Sequence, residues 1–325
     1  MLCLLGMATI RVERPSLCEI QRAAEVVRPV TVHTPLVPIH THGKPLDLLL
    51  KPEVHQVVGS FKIRGVFNAV WRLDEDQRRR GISTVSAGNT AQALAWTGHH
   101  FGVPARSIMP EDAVQSKIDA VRAYGGQPVL VPTEEVFRYL REHLWESEPE
   151  AFIHPWIDRD VIVGHGSMGL EIIAACPEVD SVYVPVGGGG LMGGVGSALK
   201  ALKPSLHLVA VEPQGCPSLH ESILADRPVT VSCRTICDGV AVPYITDQMY
   251  PLLRELVDET VLVSEEQVKT TIKRLALEDN MIVEGSGALA AAAALATPRS
   301  ERGLSVCLVT GGSIDLAKLI PILTG

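Results

Sequence analysis

The fold is decided by the stretch Ser181-Val182-Tyr183-Val184-Pro185-Val186-Gly187-Gly188-Gly189-Gly190. Its first half is a short run of apolar and β-branched residues, which is typical of a strand buried in a sheet. The four glycines that follow allow a sharp turn and a close approach of the backbone to a ligand. When a helix comes next, its free N–H groups and its positive end attract an anion. The stretch therefore predicts an α/β fold with a phosphate site at the end of one strand.

Two more strands end in glycine loops, at Val85-Ser86-Ala87-Gly88-Asn89-Thr90 and at Leu308-Val309-Thr310-Gly311-Gly312-Ser313. In open α/β sheets ligands bind outside the carboxyl ends of the strands, so we expect the three loops to surround one ligand. The four-glycine loop lacks the Gly-Lys-Ser/Thr ending of a nucleotide triphosphate loop. Its glycines have a second interpretation, in which they serve only a tight turn and close helix packing.

Short apolar runs alternate with helical patterns along the chain, which predicts a parallel sheet covered by helices on both faces. A helix is predicted from Val114 to the pair Gly125-Gly126, and another begins at Ser264, where Gln267 completes a capping box. The alanine-rich run 288–296 predicts a packed helix. We predict buried strands at 83–86, 106–109, 128–131, 181–184, 206–211 and 305–309.

The size of the chain predicts two domains. Its 325 residues, of which 46% are hydrophobic, supply enough apolar material for two cores. Because no Ser/Gly-rich linker or internal repeat occurs, the second domain is expected within the first, with crossings near Gly81 and Pro155. We therefore predict a large discontinuous domain at 1–81 and 158–325 and a small inserted α/β domain at 82–157.

Composition narrows the possible partners. A formal net charge of -8 without blocks of like charge argues against nucleic acid and anionic membranes as partners, so a small-molecule ligand is expected.

No apolar run approaches the ~20 residues of a membrane span, and the opening residues lack a signal-peptide pattern. The seven scattered cysteines predict buried thiols in a reducing cytoplasm. Met7 is an alternative native start to Met1.

A lysine lies in the segment Gly59-Ser60-Phe61-Lys62-Ile63-Arg64-Gly65. Desolvation by aromatic and aliphatic neighbours lowers the pKa of a lysine and makes its amine nucleophilic toward carbonyl groups. A lysine taken alone is more often a solvated surface residue. The presence of a phosphate loop in the same chain favours the reactive interpretation for Lys62.

Together, the segments 60–65, 86–89, 187–190 and 310–312 resemble the serine/threonine dehydratase family of fold-type II pyridoxal-phosphate enzymes. The likeness spans nearly the whole chain and keeps the order of the motifs. It implies a tryptophan synthase β-like α/β fold, with two doubly wound open-sheet domains and the cofactor in the cleft between them. It also implies a homodimer.

The resemblance assigns roles to residues. Lys62 is implied to be the catalytic residue that carries the cofactor as a Schiff base. The other implied cofactor-binding residues are Phe61, Asn89, Gly187, Gly188, Gly189, Gly190, Leu191, Glu284 and Thr310. The implied substrate-binding residues are Ser86, Ala87, Gly88, Asn89 and Thr90.

The implied reaction is the elimination of water and ammonia from a hydroxy-amino acid such as threonine or serine. A hydroxyl at Thr310 cannot protonate the cofactor's ring nitrogen, which suits elimination better than transamination. Ala87 lies where racemases of the family have a serine, so racemisation is not expected. Thr90 replaces a histidine of many dehydratases, which leaves the preferred substrate open.

Several other predictions accompany this resemblance. Trp156 lies where relatives often have a smaller residue, and it is interpreted either as a substrate contact or as packing at the domain junction. Glu212 falls in a stretch like the cation site of some relatives, but the second carboxylate is missing and no metal is expected. The alternative functions are β-replacement by a cysteine-synthase-like lyase and non-catalytic binding of pyridoxal phosphate or an amino acid.

Overall fold

The computed structural model describes residues 11–41, 43, 46–86 and 88–325. The alternative start at Met7 and the predicted substrate-loop residue Ala87 lie outside these residues. Within them, no helix is long and apolar enough to cross a membrane. The alanine-rich run 288–296 lies in the buried helix Gly285–Ala296, as predicted.

The described residues form two sheets. The first has six strands in the order β1-β2-β10-β7-β8-β9, parallel except for the edge pair of β1 with β2. The second has four parallel strands in the order β5-β4-β3-β6. The strands are β1 (Val37–Pro38), β2 (Leu48–Pro52), β3 (Ile82–Val85), β4 (Ala105–Pro110), β5 (Gln127–Val131), β6 (Ala151–Phe152), β7 (Ser181–Pro185), β8 (His207–Pro213), β9 (Glu259–Val263) and β10 (Ser305–Val309).

Helices fill the intervals between the strands. Ser264 caps α12 with the predicted capping box, and α5 ends just before Gly125. The helices are α1 (Leu17–Val27), α2 (Lys62–Arg72), α3 (Glu75–Arg79), α4 (Asn89–Phe101), α5 (Gln115–Ala123), α6 (Thr133–Arg141), α7 (Arg159–His165), α8 (Ser167–Ala175), α9 (Gly190–Leu202), α10 (Ser218–Leu224), α11 (Tyr250–Leu256), α12 (Glu265–Leu277), α13 (Gly285–Ala296), α14 (Arg299–Arg302) and α15 (Leu316–Thr324).

Both faces of the six-stranded sheet are buried. On β7, Val182 and Val184 pack into one hydrophobic core with α8, α9 and α11. The intervening Tyr183 packs into a second core with α12 and α13 on the other face. Successive side chains of a strand point to opposite faces, so this division places helices on both sides of the sheet, as predicted.

The four-stranded sheet is formed by segments between residues 82 and 152. Helix α2 packs into the same core as Ile82 and Ala105 of this sheet, although it precedes Gly81 in the chain. The domain limits given above remain a prediction. The predicted burial of strand 128–131 is wrong, because β5 lies at the edge of the sheet and Leu130 is exposed.

The cysteines only partly follow the expectation of buried thiols. Cys176, Cys237 and Cys307 are buried and free, whereas Cys18 is exposed. Cys216 and Cys233 form a disulfide that closes a loop between β8 and α11. The expectation is therefore wrong for these three cysteines, since a scattered spacing in sequence does not reveal which chain segments meet in space.

A buried group of charges fixes the beginning of α2. Arg64 is fully buried and donates two hydrogen bonds to Glu53, at 2.8 and 2.9 Å, and two to Glu171, at 2.7 and 3.0 Å. Lys51 on β2 forms an ion pair with Glu171. Two cations thus face two anions, and a bidentate geometry satisfies the guanidinium donors.

Replacing Glu53 by Gln is expected to lower the free energy of unfolding by about 3–5 kcal/mol, because it leaves part of the Arg64 charge buried without its partner. Urea unfolding followed by circular dichroism measures the change. Glu75→Gln is the matched control, since Glu75 pairs with Arg79 at the surface and its loss is expected to cost less than about 0.5 kcal/mol. Equal effects of the two substitutions would contradict this interpretation.

Candidate active site

The carboxyl ends of strands from both sheets surround a cavity of about 420 Å³. Residues that follow β3, β4, β5 and β6 line one part of it, and residues that follow β7 and β10 line another. This is where ligands bind in open α/β sheets. The cavity brings together all the predicted site residues that the structure describes, namely Phe61, Lys62, Ser86, Gly88, Asn89, Thr90, Gly187, Gly188, Gly189, Gly190, Leu191, Glu284 and Thr310.

Lys62 is the first residue of α2 and lines the cavity. Burial lowers the pKa of its amine to about 8, and the negative charge of Glu284 opposes part of this shift. Its Nζ lies 4.9 Å from the centroid of the Phe61 ring. With this pKa, about a tenth of the amine is in the neutral, nucleophilic form at pH 7, far more than for an ordinary lysine.

The lysine segment is attached to the end of β10. The N–H of Phe61 donates to the carbonyl oxygen of Thr310 at 3.1 Å, and the N–H of Gly312 donates to that of Gly59 at 3.0 Å. Ser60 and Gly311 pair as an isolated antiparallel bridge between these two bonds. The backbone thus holds Thr310 beside Lys62, although the two residues lie far apart in sequence.

The four-glycine loop is enclosed so closely that side chains do not fit. A Cβ on Gly188 would lie 2.3 Å from Cγ of Trp156, and one on Gly187 would lie 2.9 Å from Cα of Val240. Gly189 has a φ of +95°, which other residues rarely adopt. Close packing alone thus requires glycine at these positions. The absence of side chains also leaves the backbone of the loop uncovered where it lines the cavity.

Helix α9 begins at the end of this loop and offers donors to an anion. The first hydrogen bond at its N-terminus runs from the N–H of Gly193 to the carbonyl oxygen of Gly189, at 2.8 Å. The N–H groups of Gly190 and Leu191 come before this bond, where a helix has no internal acceptors. These groups and the helix dipole suit a phosphate.

Asn89 and Glu284 meet across the cavity. Asn89 Nδ2 donates to Glu284 Oε1 at 2.6 Å, while Asn89 Oδ1 and Glu284 Oε2 are buried without a hydrogen-bond partner among the described residues. Burial raises the pKa of Glu284 to about 7, and the nearby Lys117 limits the increase. Two residues that line the cavity therefore each keep one buried polar atom without a partner, which a polar ligand ring would supply.

The residues of the substrate loop lie beside this pair. Ser86 Oγ accepts a hydrogen bond from the N–H of Gly88 at 3.2 Å, and Thr90 is buried in the first turn of α4. Hydroxyl groups and the free N–H groups of a helix N-terminus suit a carboxylate. The loop thus offers the donors that the prediction required, apart from Ala87.

Sequence reasoning missed the ion pair between Lys117 and Asp238. Their Nζ and Oδ2 atoms lie 2.7 Å apart at the cavity. Burial lowers the pKa of Lys117, but the charges of Glu284 and Asp238 more than compensate, so the pKa is raised overall. Neither residue carried a signal in the sequence, because the two lie 121 residues apart.

Glu212 has a structural role in this fold. Its carboxylate accepts hydrogen bonds from the N–H groups of Leu219 and His220, both at 2.8 Å, and so caps α10. No group of three or more potential metal-ligating His, Cys, Asp or Glu side chains occurs within the ranges that the structure describes. Trp156 lines the cavity and its ring packs against Gly188. This packing accounts for one of the two interpretations, and a contact with the substrate stays a prediction.

The cavity fits pyridoxal phosphate by its donor and acceptor groups. The amine of Lys62, with its lowered pKa, suits the aldehyde, the bare loop at Gly187 suits the phosphate, and the unpartnered Oδ1 of Asn89 suits the ring hydroxyl. The Thr310 hydroxyl is available to the ring nitrogen. The aldehyde, phosphate, hydroxyl and ring nitrogen of the cofactor would thus each find a suitable residue in the cavity.

Comparisons with known proteins agree with this chemistry. The family model described as "Pyridoxal-phosphate dependent enzyme" matches residues 27–311. The chain is 35% identical to the catabolic L-threonine dehydratase of Staphylococcus aureus over 94% of this chain and 90% of that protein. It is 38% identical to the L-threonine ammonia-lyase of Thermotoga maritima over 83% of this chain and 68% of that protein. The structure of maize serine racemase superposes with a TM-score of 0.88 at 31% identity, covering 95% and 97% of the two chains.

Fold, site and comparisons define an α/β enzyme of the fold-type II class that uses pyridoxal phosphate as its cofactor. Within that class, the chain belongs to the serine/threonine dehydratase family. The predicted family, fold class and cofactor are confirmed, and the enzyme is a pyridoxal-phosphate-dependent lyase.

Gly188→Ala is expected to raise the Kd for pyridoxal phosphate at least about tenfold, because a methyl group 2.3 Å from the Trp156 ring forces the loop out of position. Titration of the cofactor-free protein, followed by absorbance, measures the effect. Gly193→Ala is the matched control on the following turn, where the nearest atom is the flexible Leu252 Cδ2 at 3.1 Å. Unchanged affinity in Gly188→Ala would show that the loop does not hold the phosphate.

The pH dependence of Lys62 reactivity follows from its lowered pKa. In the cofactor-free protein, the rate at which Lys62 is modified by pyridoxal phosphate should rise with pH with a midpoint near the pKa of about 8, because the neutral amine is the reactive form. An ordinary lysine would show a midpoint near about 10.4. Borohydride trapping and peptide mass spectrometry measure the yield. Glu284→Gln should move the midpoint lower, since the Glu284 charge favours the ammonium form.

Proposed function

We propose that the protein is an ammonia-lyase that removes water and ammonia from a β-hydroxy-α-amino acid such as threonine or serine and releases a 2-oxo acid. The observation that carries the proposal is the position of Lys62. Its amine has a lowered pKa and lines a cavity that two loops also line. The glycine loop 187–190 suits a phosphate, and the loop 86–90 offers hydrogen-bond donors to a substrate carboxylate. The likeness to an L-threonine dehydratase over most of both chains supports the same reaction.

Bound pyridoxal phosphate would supply an electron-withdrawing ring that stabilises negative charge at the substrate α-carbon. In this chain, Thr310 lines the cavity and would be the residue that contacts the ring nitrogen. A hydroxyl would not protonate that nitrogen as a carboxylic acid does, so negative charge would be drawn into the ring only partly. This setting favours prompt departure of a β-substituent, which is the course of an elimination.

Lys62 is proposed to bind the cofactor at rest and to act as the base for the substrate α-proton. With a pKa of about 8, Nζ can accept a proton near neutral pH and give it up again within the same cycle. The Phe61 ring packs beside this amine and contributes to its desolvation. Proximity within one cavity contributes much of the rate.

The substrate carboxylate is proposed to bind to the loop 86–90. Ser86 and Thr90 supply hydroxyl groups, and the N-terminus of α4 supplies backbone N–H groups. Asn89 is proposed to contact the cofactor ring, since its amide nitrogen is already bound to Glu284. Phe61 and Glu284 are proposed to hold the cofactor together with Gly187, Gly188, Gly189, Gly190, Leu191 and Thr310.

Replacing Lys62 by Ala is expected to reduce the release of 2-oxo acid and ammonia from serine and threonine by at least about 10³-fold, because both the covalent attachment and the base are lost. The wild-type protein should be yellow, and borohydride reduction should leave the cofactor on Lys62. The control is Lys269→Ala, which removes an exposed lysine paired with Glu266. A colourless wild-type protein without the adduct would contradict the attachment of the cofactor to Lys62. Unchanged turnover in Lys62→Ala would contradict the assignment of Lys62 as the base.

The same assay separates the alternatives. Incorporation of sulfide into the substrate without release of ammonia would indicate the β-replacement reaction. Cofactor binding without any turnover would indicate a binding protein. The family membership and the desolvated amine of Lys62 support catalysis by elimination.

The family likeness also supports two proposals about the whole protein. We propose a homodimer, and we propose that it acts in the cytoplasm. The buried thiols of Cys176, Cys237 and Cys307 suit a reducing compartment, whereas a disulfide between Cys216 and Cys233 is uncommon there.

A further inference from the structure

One wall of the active-site cavity is apolar beyond what threonine or serine requires. Helix α6 contributes Val136, Phe137 and Leu140 to this wall, and the segment before Tyr244 contributes Val242 and Pro243. Phe137 is only half-buried, so part of its ring faces the open cavity. We call these five residues the apolar wall. Apolar surface turned into a cavity is stabilised when an apolar ligand group covers it.

The apolar wall lies beside the loop proposed to bind the substrate. Val136 and Leu140 pack in one cluster with Val85, the residue directly before Ser86. Val85 itself lines the cavity. A substrate whose carboxylate is held at 86–90 therefore has the wall within reach of its own side chain.

The charges at the cavity argue against a polar or acidic side chain on the substrate. Among the described lining residues, the charged side chains are Lys62, Lys117, Asp238 and Glu284. Lys117 is bound to Asp238, and Lys62 is proposed to hold the cofactor. A second carboxylate on the substrate would lie against the apolar wall, where none of the described residues that line this first cavity offers an unpaired cation, and burial there is costly.

Space continues beyond the apolar wall. A second cavity of about 520 Å³ shares Leu140, Trp156 and Pro243 with the first. Trp145 and His154 line this second cavity on the side of Trp156, and His154 lies edge-on to Trp156, with ring centroids 4.9 Å apart. The charged side chains of Arg141 and Asp247 line it as well. Aromatic rings bury well against such surfaces and pair with them edge-to-face or offset.

We propose that the substrate of this enzyme carries an aryl group on its hydroxylated β-carbon, as 3-phenylserine does, and that the apolar wall and Trp156 bind this group. The inference rests on the proposed function. It assigns Val136, Phe137, Leu140 and Val242 as residues that determine specificity. The aryl group fills space that the methyl group of threonine leaves to water.

The test compares kcat/KM for release of 2-oxo acid and ammonia from serine, threonine, threo-3-phenylserine and threo-3-hydroxyaspartate by the holoenzyme. We expect phenylserine to exceed threonine at least about tenfold, with hydroxyaspartate the poorest substrate. Equal or better turnover of threonine or serine would overturn the inference and leave the proposed function intact. Release from none of the four would overturn both.

Two variants test the apolar wall itself. Val242→Thr keeps the shape and adds a hydroxyl, and it should lower the ratio of kcat/KM for phenylserine to that for serine about tenfold. Val131→Thr is the matched control, because Val131 packs near the same core but does not line the cavity, and it should leave the ratio unchanged. An unchanged ratio in Val242→Thr would count against the wall.

The second variant, Val136→Arg, adds a cation to the wall. It should raise kcat/KM for hydroxyaspartate relative to phenylserine at least about tenfold, since the added charge supplies the missing partner of the β-carboxylate. Circular dichroism confirms that each variant is folded before its kinetics are measured. A folded Val136→Arg with the wild-type preference would show that Val136 does not face the substrate side chain.

Discussion

The ion pairs of Arg64 are the interaction on which the active site depends. Arg64 lies two residues after Lys62, and it binds Glu53, which follows β2, and Glu171, which lies on α8. Glu53 is 11 residues from Arg64 in the sequence and Glu171 is 107 residues from it, so one guanidinium fixes the first turn of α2 relative to two distant segments. Because Arg64 and Glu53 are buried, breaking one of these ion pairs would leave an unpaired charge in the core at a high cost in free energy. The side chains are therefore held in one geometry. The reactive amine of Lys62 takes its position from this geometry.

The second constraint is steric. The loop at 187–190 is pressed between the ring of Trp156, from the end of the small sheet, and the backbone of Val240. The same absence of side chains that permits this packing exposes the N–H groups at the start of α9. The same glycines thus permit this packing and would permit anion binding, so the two interpretations offered from the sequence are compatible. Substitution of these glycines is expected to affect stability and cofactor binding together.

Much of this architecture could be predicted from the sequence, and the exceptions have physical causes. The central strands are buried on both faces, so each appears as a continuous apolar run, and the glycine loops follow directly. β2 was missed because Lys51 interrupts its apolar pattern, and the partner that neutralises this lysine, Glu171, is 120 residues away. Lys117 was missed for the same reason, since Asp238 is 121 residues away. Pairs this distant leave no periodic pattern, whereas strands, caps and glycine turns do.

The position of α2 has a mechanical consequence. Its body packs into the core of the four-stranded sheet, while the segment just before it is hydrogen-bonded to the end of β10 in the six-stranded sheet. Lys62 therefore lies at the junction of the two layers, because the residues just before it are hydrogen-bonded to one sheet and the helix that it begins packs on the other. Any displacement of one layer against the other would have to strain these contacts, so the position of the reactive nitrogen depends on how the two layers are joined.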